Sequence, residues 1–395
     1  MQTTDAFDGL ACTDCGESFG VDEHGRCPDC GGTLSPQYDL DAVDAEAFGG
    51  DDAPGQYRFG ALLPFPASTA LTAGEGDTPL VRTDRLAEEL GVAAAYVKDE
   101  GRNPTGTFVD RGMSLAVTAA ADREMEPLAL AAAGNAGQSA AAYAGRADLR
   151  SYSFVPSRTA FSNKAMVNVH GGEMRVVGGR YGDAAAAVDE QLATDYHSLQ
   201  EFTTPYRHDG AKTLAYELLD ATDAAESTLP DAVVVPASTG ELVVGVVEGL
   251  QDLAELGLAD EVPDVYAVQA AGCAPIATAH ESGADSVEAW VGPDTIVGEV
   301  EIEDPAGGDL AVSALRAVDG DSLTVEDDDA LESAVTVAQT EVIEVGGAGG
   351  VALAGAWRLA EADAFGEDDE VVVVNPDSGV KTPDVLRSHL MGKGI

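Results

Sequence analysis

The sequence has very little lysine and little positive charge of any kind. Only 21 of its 395 residues are lysine or arginine, against 70 aspartates and glutamates, so the formal net charge is −49. The five lysines are Lys98, Lys164, Lys212, Lys381 and Lys393. Because so negative a surface repels phosphates, we expect no nucleic-acid partner. The acidic residues occur throughout the chain and not in one tail, which is typical of a halophilic protein whose charges are screened by a salt-rich cytoplasm.

Long hydrophobic runs are also missing. No window of about 18 residues is apolar enough to cross a membrane. The first residues, MQTTDAFDGL, lack the basic and apolar segments of a secretion signal. We therefore expect a cytoplasmic protein with no membrane partner. With 45% hydrophobic residues, a chain of 395 is long enough to form two or three domains.

Cysteine is rare, but four of the five cysteines form one pattern of two pairs, each with two residues between its members. The four are Cys12, Cys15, Cys27 and Cys30. Each pair lies in a turn sequence, CTDCGES or CPDCGGT, and two such knuckles can place four thiolates around zinc. We predict a structural zinc ribbon over residues 1–36; a pair of disulfides and a metal-free cluster are the alternatives. His24, between the two pairs, is expected at the surface.

The remainder of the chain divides by composition at about residue 76. Residues 37–75 are rich in Asp, Ala, Gly and Pro and are predicted to be a linker that wraps the next domain. Residues 76–395 alternate between short β-branched runs and Ala-rich segments, which indicates parallel sheets covered by helices. The candidate strands are AAYVKDE, PLALAAAG, SYSFVPS, EMRVVGG, DAVVVPAS, DVYAVQA and EVVVVNP. The candidate helices include AGQSAAAYAGRA and TLAYELLDAT.

The segment YVKDEGRNPTGTFVDRGMS at 96–114 resembles the pyridoxal-phosphate (PLP) loop of threonine synthases and related fold-type-II enzymes, whose pattern is close to K-x-E-x-x-N-P-T-G-S-F-K-D-R. Further matches follow in order: AAAGNAGQSAAAYAGR at 131–146, Lys164, GAKTLAYE at 210–217 and DSGVKTP at 377–383. The resemblance covers about 76–390, and archaeal members carry an N-terminal zinc ribbon. It implies an α/β fold of two open parallel-sheet subdomains, the smaller over about 112–205 and the larger over the remainder.

The resemblance also implies an activity, and one residue contradicts it. Family members are PLP-dependent lyases of amino-acid biosynthesis that convert O-phosphohomoserine to threonine and phosphate. The second lysine of their PLP loop forms the Schiff base and moves protons, but here that position is Val109. Four of the five lysines match lysines that the family has elsewhere, and Lys393 lies in the C-terminal tail. The covalent anchor is therefore missing, together with an acid–base group typically worth roughly 10²–10⁴ in rate.

Other parts of the implied site are altered as well. The family's phosphate loop, close to P-x-G-S-G-G-T, reads PASTGELVVG here, so Gly240 remains while Ser238 and Glu241 stand at glycine positions. The hydroxyls that grip the substrate carboxylate are replaced by Ala132 and Ala133. The Thr that follows Gly-Asn becomes Ala136, and the Ser or Thr that meets the pyridine nitrogen falls at about Pro376. The degenerate cofactor contacts that remain are Asn135, Ser238, Thr239, Gly240 and Ser378.

The remaining motif residues admit two interpretations. Asn135 either contacts the PLP ring oxygen or is a turn residue that caps the following helix. Asp110 and Arg111 are either a catalytic couple or a structural pair at a helix start. We favour the structural interpretation of all three and expect PLP to bind noncovalently at most.

Three hypotheses about function follow. The first is a catalytically impaired paralogue of threonine synthase, acting as a ligand-binding, scaffolding or regulatory subunit. It would bind a small amino acid or a phosphorylated ligand, and would assemble as a homo-oligomer or with an active homologue. The second is an active threonine synthase-type lyase, or a related amino-acid lyase that uses PLP noncovalently. The third assigns the function to the zinc ribbon, as a protein-docking module.

Overall fold

The computed structural model describes residues 1–50, 52–192, 195–220 and 229–393, and the chain divides into two compact units. Unit 1 comprises Met1–Asp77, Val109–Glu217 and Glu248–Asp260; unit 2 comprises Thr78–Phe108, Leu218–Val247 and Glu261–Ile395. The subdomain expected over about 112–205 lies within unit 1. Each unit contains its own parallel sheet, as the alternation of strand and helix patterns predicts.

The N-terminal ribbon of unit 1 is a small antiparallel sheet with the strand order β2-β1-β3. Its strands are β1 (Phe7–Cys12), β2 (Ser18–Phe19) and β3 (Leu34–Tyr38). It packs on a later part of the same unit, where Thr33 Oγ1 donates to the Phe202 carbonyl at 3.4 Å and Tyr38 OH donates to Asp209 Oδ2 at 2.7 Å.

The main sheet of unit 1 has four parallel strands in the order β8-β7-β6-β9. They are β6 (Leu128–Ala131), β7 (Ser151–Pro156), β8 (Glu173–Val177) and β9 (His197–Ser198). The helices of this unit are α2 (Val109–Asp122), α3 (Asn135–Arg146), α4 (Phe161–Val169), α5 (Tyr181–Gln191), α6 (Arg207–Ala211) and α7 (Thr213–Tyr216).

The segment 37–75, predicted to be a linker, is packed on α2 in unit 1. It contains short 3₁₀ helices at Leu40–Ala42 and Gly55–Leu62. Gln56 Nε2 donates to the Arg111 carbonyl at 2.9 Å, and Tyr57 OH lies 2.8 Å from Ser114 Oγ. Both side chains are fully buried, so this segment is part of the core of unit 1.

Unit 2 is built on a six-stranded sheet with the order β12-β11-β10-β13-β5-β4. The strands are β4 (Leu80–Arg82), β5 (Ala94–Asp99), β10 (Ala232–Pro236), β11 (Asp264–Ala270), β12 (Asp321–Val325) and β13 (Glu370–Asn375). All neighbours are parallel except the edge strand β4, which is antiparallel to β5. The valines of β10 and β13 are buried without alternation, which is expected of central strands covered on both faces.

Helices cover the sheet of unit 2 and connect its strands. They are α1 (Asp84–Leu90), α8 (Glu241–Glu255, continuing into unit 1 from Glu248), α9 (Pro275–Ser282), α10 (Gly308–Ala317), α11 (Asp327–Thr340), α12 (Gly347–Glu361) and α13 (Pro383–Gly392). Short 3₁₀ helices lie at Glu100–Arg102, Gly298–Val300 and Gly379–Lys381. Within the residues that the structure describes, no helix combines the length and apolar character that a membrane span needs.

The helix predicted over TLAYELLDAT, residues 213–222, is observed in two parts. α7 ends at Tyr216 and a 3₁₀ turn, Glu217–Asp220, follows; residues 221–228 lie outside the described part. Both parts are held by tertiary contacts: Glu217 accepts hydrogen bonds from the Asp77 amide and from Arg111, and Tyr216 donates to Asp252.

Candidate functional site

The loop that precedes position 109 is held within unit 2 by a buried polar network. Glu100, at the carboxyl end of β5, accepts from Thr78 Oγ1 at 2.5 Å and from Asn103 Nδ2 at 2.7 Å. Gly106 has a φ of +77°, a left-handed conformation that favours glycine. The Asn-Pro-Thr-Gly part of the motif therefore shapes this turn through contacts that need no ligand.

Val109 is the first residue of α2 in unit 1 and is 5% exposed. The two residues after it are engaged with protein groups. Ser139 Oγ donates to Asp110 Oδ1 at 2.5 Å, and Arg111 binds both oxygens of Glu217 at 2.7 and 2.9 Å. All of these partners are fully or almost fully buried, which is what the structural interpretation of Asp110 and Arg111 expects.

The lysines are occupied by other groups. Lys98 Nζ is buried and donates to the Thr78 carbonyl at 2.6 Å. Lys212 Nζ lies 2.9 Å from Asp209 and 3.5 Å from Asp252. Burial alone would lower the pKa of Lys212, but these carboxylates outweigh it and hold the pKa above its ordinary value. Lys164 Nζ donates to the Ser157 carbonyl, and Lys393 forms an ion pair with Glu332. Lys381 is 5% exposed.

The loop matching the phosphate site follows β10 in unit 2. Gly240 has a φ of +93°, and a Cβ atom there would lie 2.5 Å from the Gly307 carbonyl oxygen. The amide of Gly307 in turn donates to the Thr239 carbonyl at 2.9 Å. The close approach of these two loops explains why position 240 remains glycine, whether or not a phosphate binds.

Glu241 begins α8 and is 2% exposed. The N-terminus of a helix attracts anions through its dipole and its free amides. An ionised Glu241 at this end would repel a phosphate brought to the same amides. Neighbouring Ser238 and Thr239 are partly buried, and the Glu241 amide lies 3.4 Å from Thr239 Oγ1.

In unit 1 the loop after β6 has alanines where the resemblance implies hydroxyls. Ala132 is 2% exposed, and the Ala133 carbonyl accepts from Thr159 Oγ1 at 3.0 Å. Asn135 is the first residue of α3, and the N-cap position belongs to Gly134. The expectation that Asn135 caps this helix is therefore wrong, because the chain enters α3 one residue earlier than a cap at 135 requires.

The turn after β13 in unit 2 carries Pro376 and Ser378. The Pro376 carbonyl accepts from the Phe108 amide at 2.9 Å, and the Ser378 amide donates to the Gly106 carbonyl at 3.1 Å. Ser378 is 9% exposed and precedes the 3₁₀ turn Gly379–Lys381. These contacts fix the backbone of the turn, and Pro376 has no side-chain donor for a ring nitrogen.

Sequence reasoning missed an acidic pair at the start of α12. A Cβ atom on Gly347 would lie 2.9 Å from Glu299 Oε1, and one on Gly346 would lie 2.0 Å from Asp377 Oδ1. Burial and the charge of Asp377 raise the pKa of Glu299 to about 7. Since β10 and β13 are parallel neighbours, Glu241 and Asp377 follow the carboxyl ends of adjacent strands. The consecutive glycines at the start of α12, Gly346 and Gly347, were the sequence signal that could have indicated these close approaches.

The four ribbon cysteines come together as predicted, with every pair of sulfurs within 4.8 Å. Cys12 Sγ lies 3.4 Å from Cys30 Sγ, and Cys15 Sγ lies 3.8 Å from Cys27 Sγ. In a tetrahedral zinc site with Zn–S bonds of about 2.3 Å, neighbouring sulfurs are about 3.8 Å apart, so the cluster could hold zinc. The knuckle glycines have φ values of +74° (Gly16) and +79° (Gly31), which lets the chain turn back.

Taken unit by unit, the residues do not fit a covalently held PLP. The position that would carry the amine is a valine, the helix end that would face the phosphate carries a buried carboxylate, and the hydroxyl positions are alanines. Gly240 and the Asn-Pro-Thr-Gly turn are present, but local packing accounts for them.

The chain is nevertheless similar to known enzymes over most of its length. A family model described as pyridoxal-phosphate dependent enzyme matches residues 71–377. The threonine synthase of Methanosarcina acetivorans is 31% identical over 381 residues, which is 95% of this chain and 93% of that protein. The threonine synthase of Methanocaldococcus jannaschii is 31% identical over 379 residues, covering 94% and 93%.

Solved structures show the same fold at lower identity. Diaminopropionate ammonia lyase from Escherichia coli aligns with a TM-score of 0.69 and 19% identity, covering 82% of this chain and 89% of that one. Threonine deaminase isoform 2 from Solanum lycopersicum aligns with a TM-score of 0.67 and 19% identity, covering 80% and 88%. The predicted fold-type-II α/β architecture, with its small N-terminal four-cysteine cluster, is confirmed. The chain belongs to the family of pyridoxal-phosphate dependent enzymes and resembles its threonine synthases.

Proposed function

We propose that this chain is a threonine synthase-like protein that has lost the PLP-anchoring chemistry and acts as a ligand-binding, scaffolding or regulatory subunit. The observation that carries the proposal is Val109, a buried valine at the start of α2 where the family's motif places the Schiff-base lysine. A valine can neither form the covalent bond nor accept a proton from a substrate carbon.

The buried carboxylate of Glu241 supports the same conclusion. Two unit charges about 4 Å apart at an effective dielectric constant near 20 interact by roughly 4 kcal/mol, here unfavourably. A penalty of that size weakens binding of a phosphate about a thousandfold, at about 1.4 kcal/mol per tenfold. The unit 2 loops therefore favour an unphosphorylated amino acid over O-phosphohomoserine or PLP as the ligand.

A subunit without its own chemistry needs another way to contribute. We propose that it assembles as a homo-oligomer or with an active homologue, whose activity it adjusts when its own ligand binds. The four-cysteine cluster binds one structural zinc ion in this proposal. The intact core of each unit supports such a role, since binding and assembly need only a folded protein.

An active enzyme is the alternative, and the relatives favour it. They are named threonine synthases and match this chain over more than nine-tenths of its length. Under this alternative the protein would convert O-phosphohomoserine to threonine and phosphate with PLP bound noncovalently. Residues such as Asp110 and Lys98 would then need roles beyond the buried contacts described above.

The deciding experiment is a PLP titration of the full chain in high salt. Visible spectra are recorded before and after borohydride treatment, followed by peptide mapping, and phosphate release from O-phosphohomoserine is assayed on the same sample. We expect no reducible adduct on any lysine and no phosphate release. A covalent PLP adduct on any lysine, Lys98 and Lys212 being the first to inspect, would contradict the proposal; phosphate release without an adduct would establish the noncovalent alternative.

A further inference from the structure

We propose that His24 and His197 form a second metal site, for a divalent transition-metal ion such as zinc or nickel. The site lies in unit 1, where the ribbon hairpin covers the start of β9. It is separate from the four-cysteine cluster and from the altered PLP motifs, and its argument does not depend on the proposed function.

The first observation is a cavity between the hairpin and the main sheet of unit 1. Its volume is about 440 Å³, and its lining includes His24, Glu124, Glu126, Asp195, Tyr196 and His197. Three of these six side chains are carboxylates and two are imidazoles, and nitrogen and oxygen ligands of this kind suit zinc and nickel. The cavity is large enough for an ion with bound water.

The second observation is an unsatisfied histidine on the cavity wall. His197 is 7% exposed, and its Nε2 atom has no hydrogen-bond partner within the part of the chain that the structure describes. A buried polar atom without a partner is costly, so its presence calls for an explanation. Neutral imidazole nitrogens are common metal ligands, so an ion on Nε2 would give this atom a partner.

The two rings are already at a suitable separation. Their centroids lie 5.4 Å apart with an interplanar angle of 42°. Two imidazoles bound to one tetrahedral ion through metal–nitrogen bonds of about 2.0–2.1 Å have ring centres about 5 Å apart. His24 Nδ1 lies 3.3 Å from the Asp22 carbonyl oxygen. When this nitrogen donates to the carbonyl, Nε2 is left as the free acceptor, an arrangement typical of metal-binding histidines.

The charges around the pair are mostly negative. Glu124 and Asp195 are exposed and line the cavity. Glu126 is already paired with Arg150 at 2.7 Å. Arg123 opposes a cation, but its guanidinium is turned toward the carbonyl of Val21. The four-cysteine group is the one cluster of three or more ligands preassembled in the described residues. In the proposed site, Asp195 or Glu124 therefore rotates to complete the coordination beside water.

The test uses the full chain with its cysteine cluster saturated with zinc and excess metal removed. Nickel chloride is then titrated calorimetrically in high salt, and we expect one further equivalent to bind. His24→Ala and His197→Gln should each weaken this binding by about 10–100-fold or more, the range typical of disturbed metal sites. His280→Ala is the matched control and should leave the affinity unchanged, because His280 lies in unit 2 and contacts Ser322.

Zinc content and thermal stability of each variant establish that the fold and the cysteine cluster are intact. If His197→Gln does not fold, His24→Ala decides alone, because His24 is only half-buried in a hairpin. Absence of a second equivalent, or unchanged nickel affinity in the folded histidine variants, would overturn the proposal. Loss of the second equivalent in the histidine variants alone would support it.

Discussion

Replacing Val109 by lysine will not by itself restore covalent binding of PLP. The new amine would stand at the first residue of α2, where the valine is 5% exposed. A phosphate approaching the α8 end would still meet Glu241, which is 2% exposed and costs roughly 4 kcal/mol for each close charge pair. That cost corresponds to a loss of about a thousandfold in affinity. We expect Val109→Lys to bind PLP too weakly to yield an adduct at micromolar concentrations.

A combined variant should recover binding, because it removes the obstacles together. Val109→Lys with Ser238→Gly, Glu241→Gly and Ala133→Thr restores the amine, the glycine loop and one hydroxyl. The assay is PLP titration followed by borohydride reduction and mapping of position 109. Val109→Lys with Glu255→Gln is the matched control, since Glu255 is an exposed carboxylate at the far end of α8. An adduct in the single variant equal to that in the combined one would refute the electrostatic reasoning.

Four further predictions concern metal, salt, pH and a buried ion pair. Metal analysis should return about one zinc per chain, lost when Cys12 and Cys27 both become serine; a value near zero in wild type under reducing conditions would contradict the ribbon site. The melting temperature should fall as salt is diluted from about 2 M to about 0.1 M, because the excess of acidic side chains loses its screening; a flat profile would argue against salt adaptation. The pKa of Glu248 is raised by burial to about 8 from 4.5, so its contribution to stability is full below about pH 4.5 and is lost as pH rises toward 8. In Glu248→Gln, the fall in unfolding free energy between about pH 4.5 and 8, measured by denaturant titration, should be smaller by roughly 3–5 kcal/mol. An unchanged dependence of the unfolding free energy on pH would show that this carboxyl is not buried in its neutral form. Arg111→Ala should lower the free energy of unfolding, measured by denaturant titration, by about 3–5 kcal/mol, because Glu217 is left charged and buried. A loss below about 1 kcal/mol would show that the ion pair does not stabilise the fold.

The strands of the two main sheets were predictable because they are short apolar runs with clear ends. All seven candidate strands correspond to observed ones: β5, β6, β7, β8, β10, β11 and β13. β9 has two residues, and β4 and β12 are partly exposed edge strands, so none of them has a strong pattern. Such short or exposed strands form because a neighbouring strand pairs with them. The local sequence pattern carries no information about that neighbour.

The candidate sites were predictable only where the spacing of residues along the sequence determines the geometry of the ligands. The cysteine knuckles determine their own geometry, so four thiols could be assigned to one cluster. His24 was expected to be an ordinary surface residue, because nothing in the local sequence indicates that His197 lies against it. Glu299 was missed for the same reason, since its position depends on packing against the start of α12. Contacts between distant segments are the part of a site that one sequence does not show.

The motif residues that match the family are largely those that have a packing role in this chain. A side chain at Gly240 would collide with the Gly307 carbonyl oxygen. Arg111 is paired with Glu217, and Asp110 accepts a hydrogen bond from Ser139. An active enzyme and an inactive paralogue with this fold would both need these residues, so their presence cannot distinguish the two. Position 109 can distinguish them, because the family's motif places the Schiff-base lysine there. This chain has a buried valine at that position, which offers no amine.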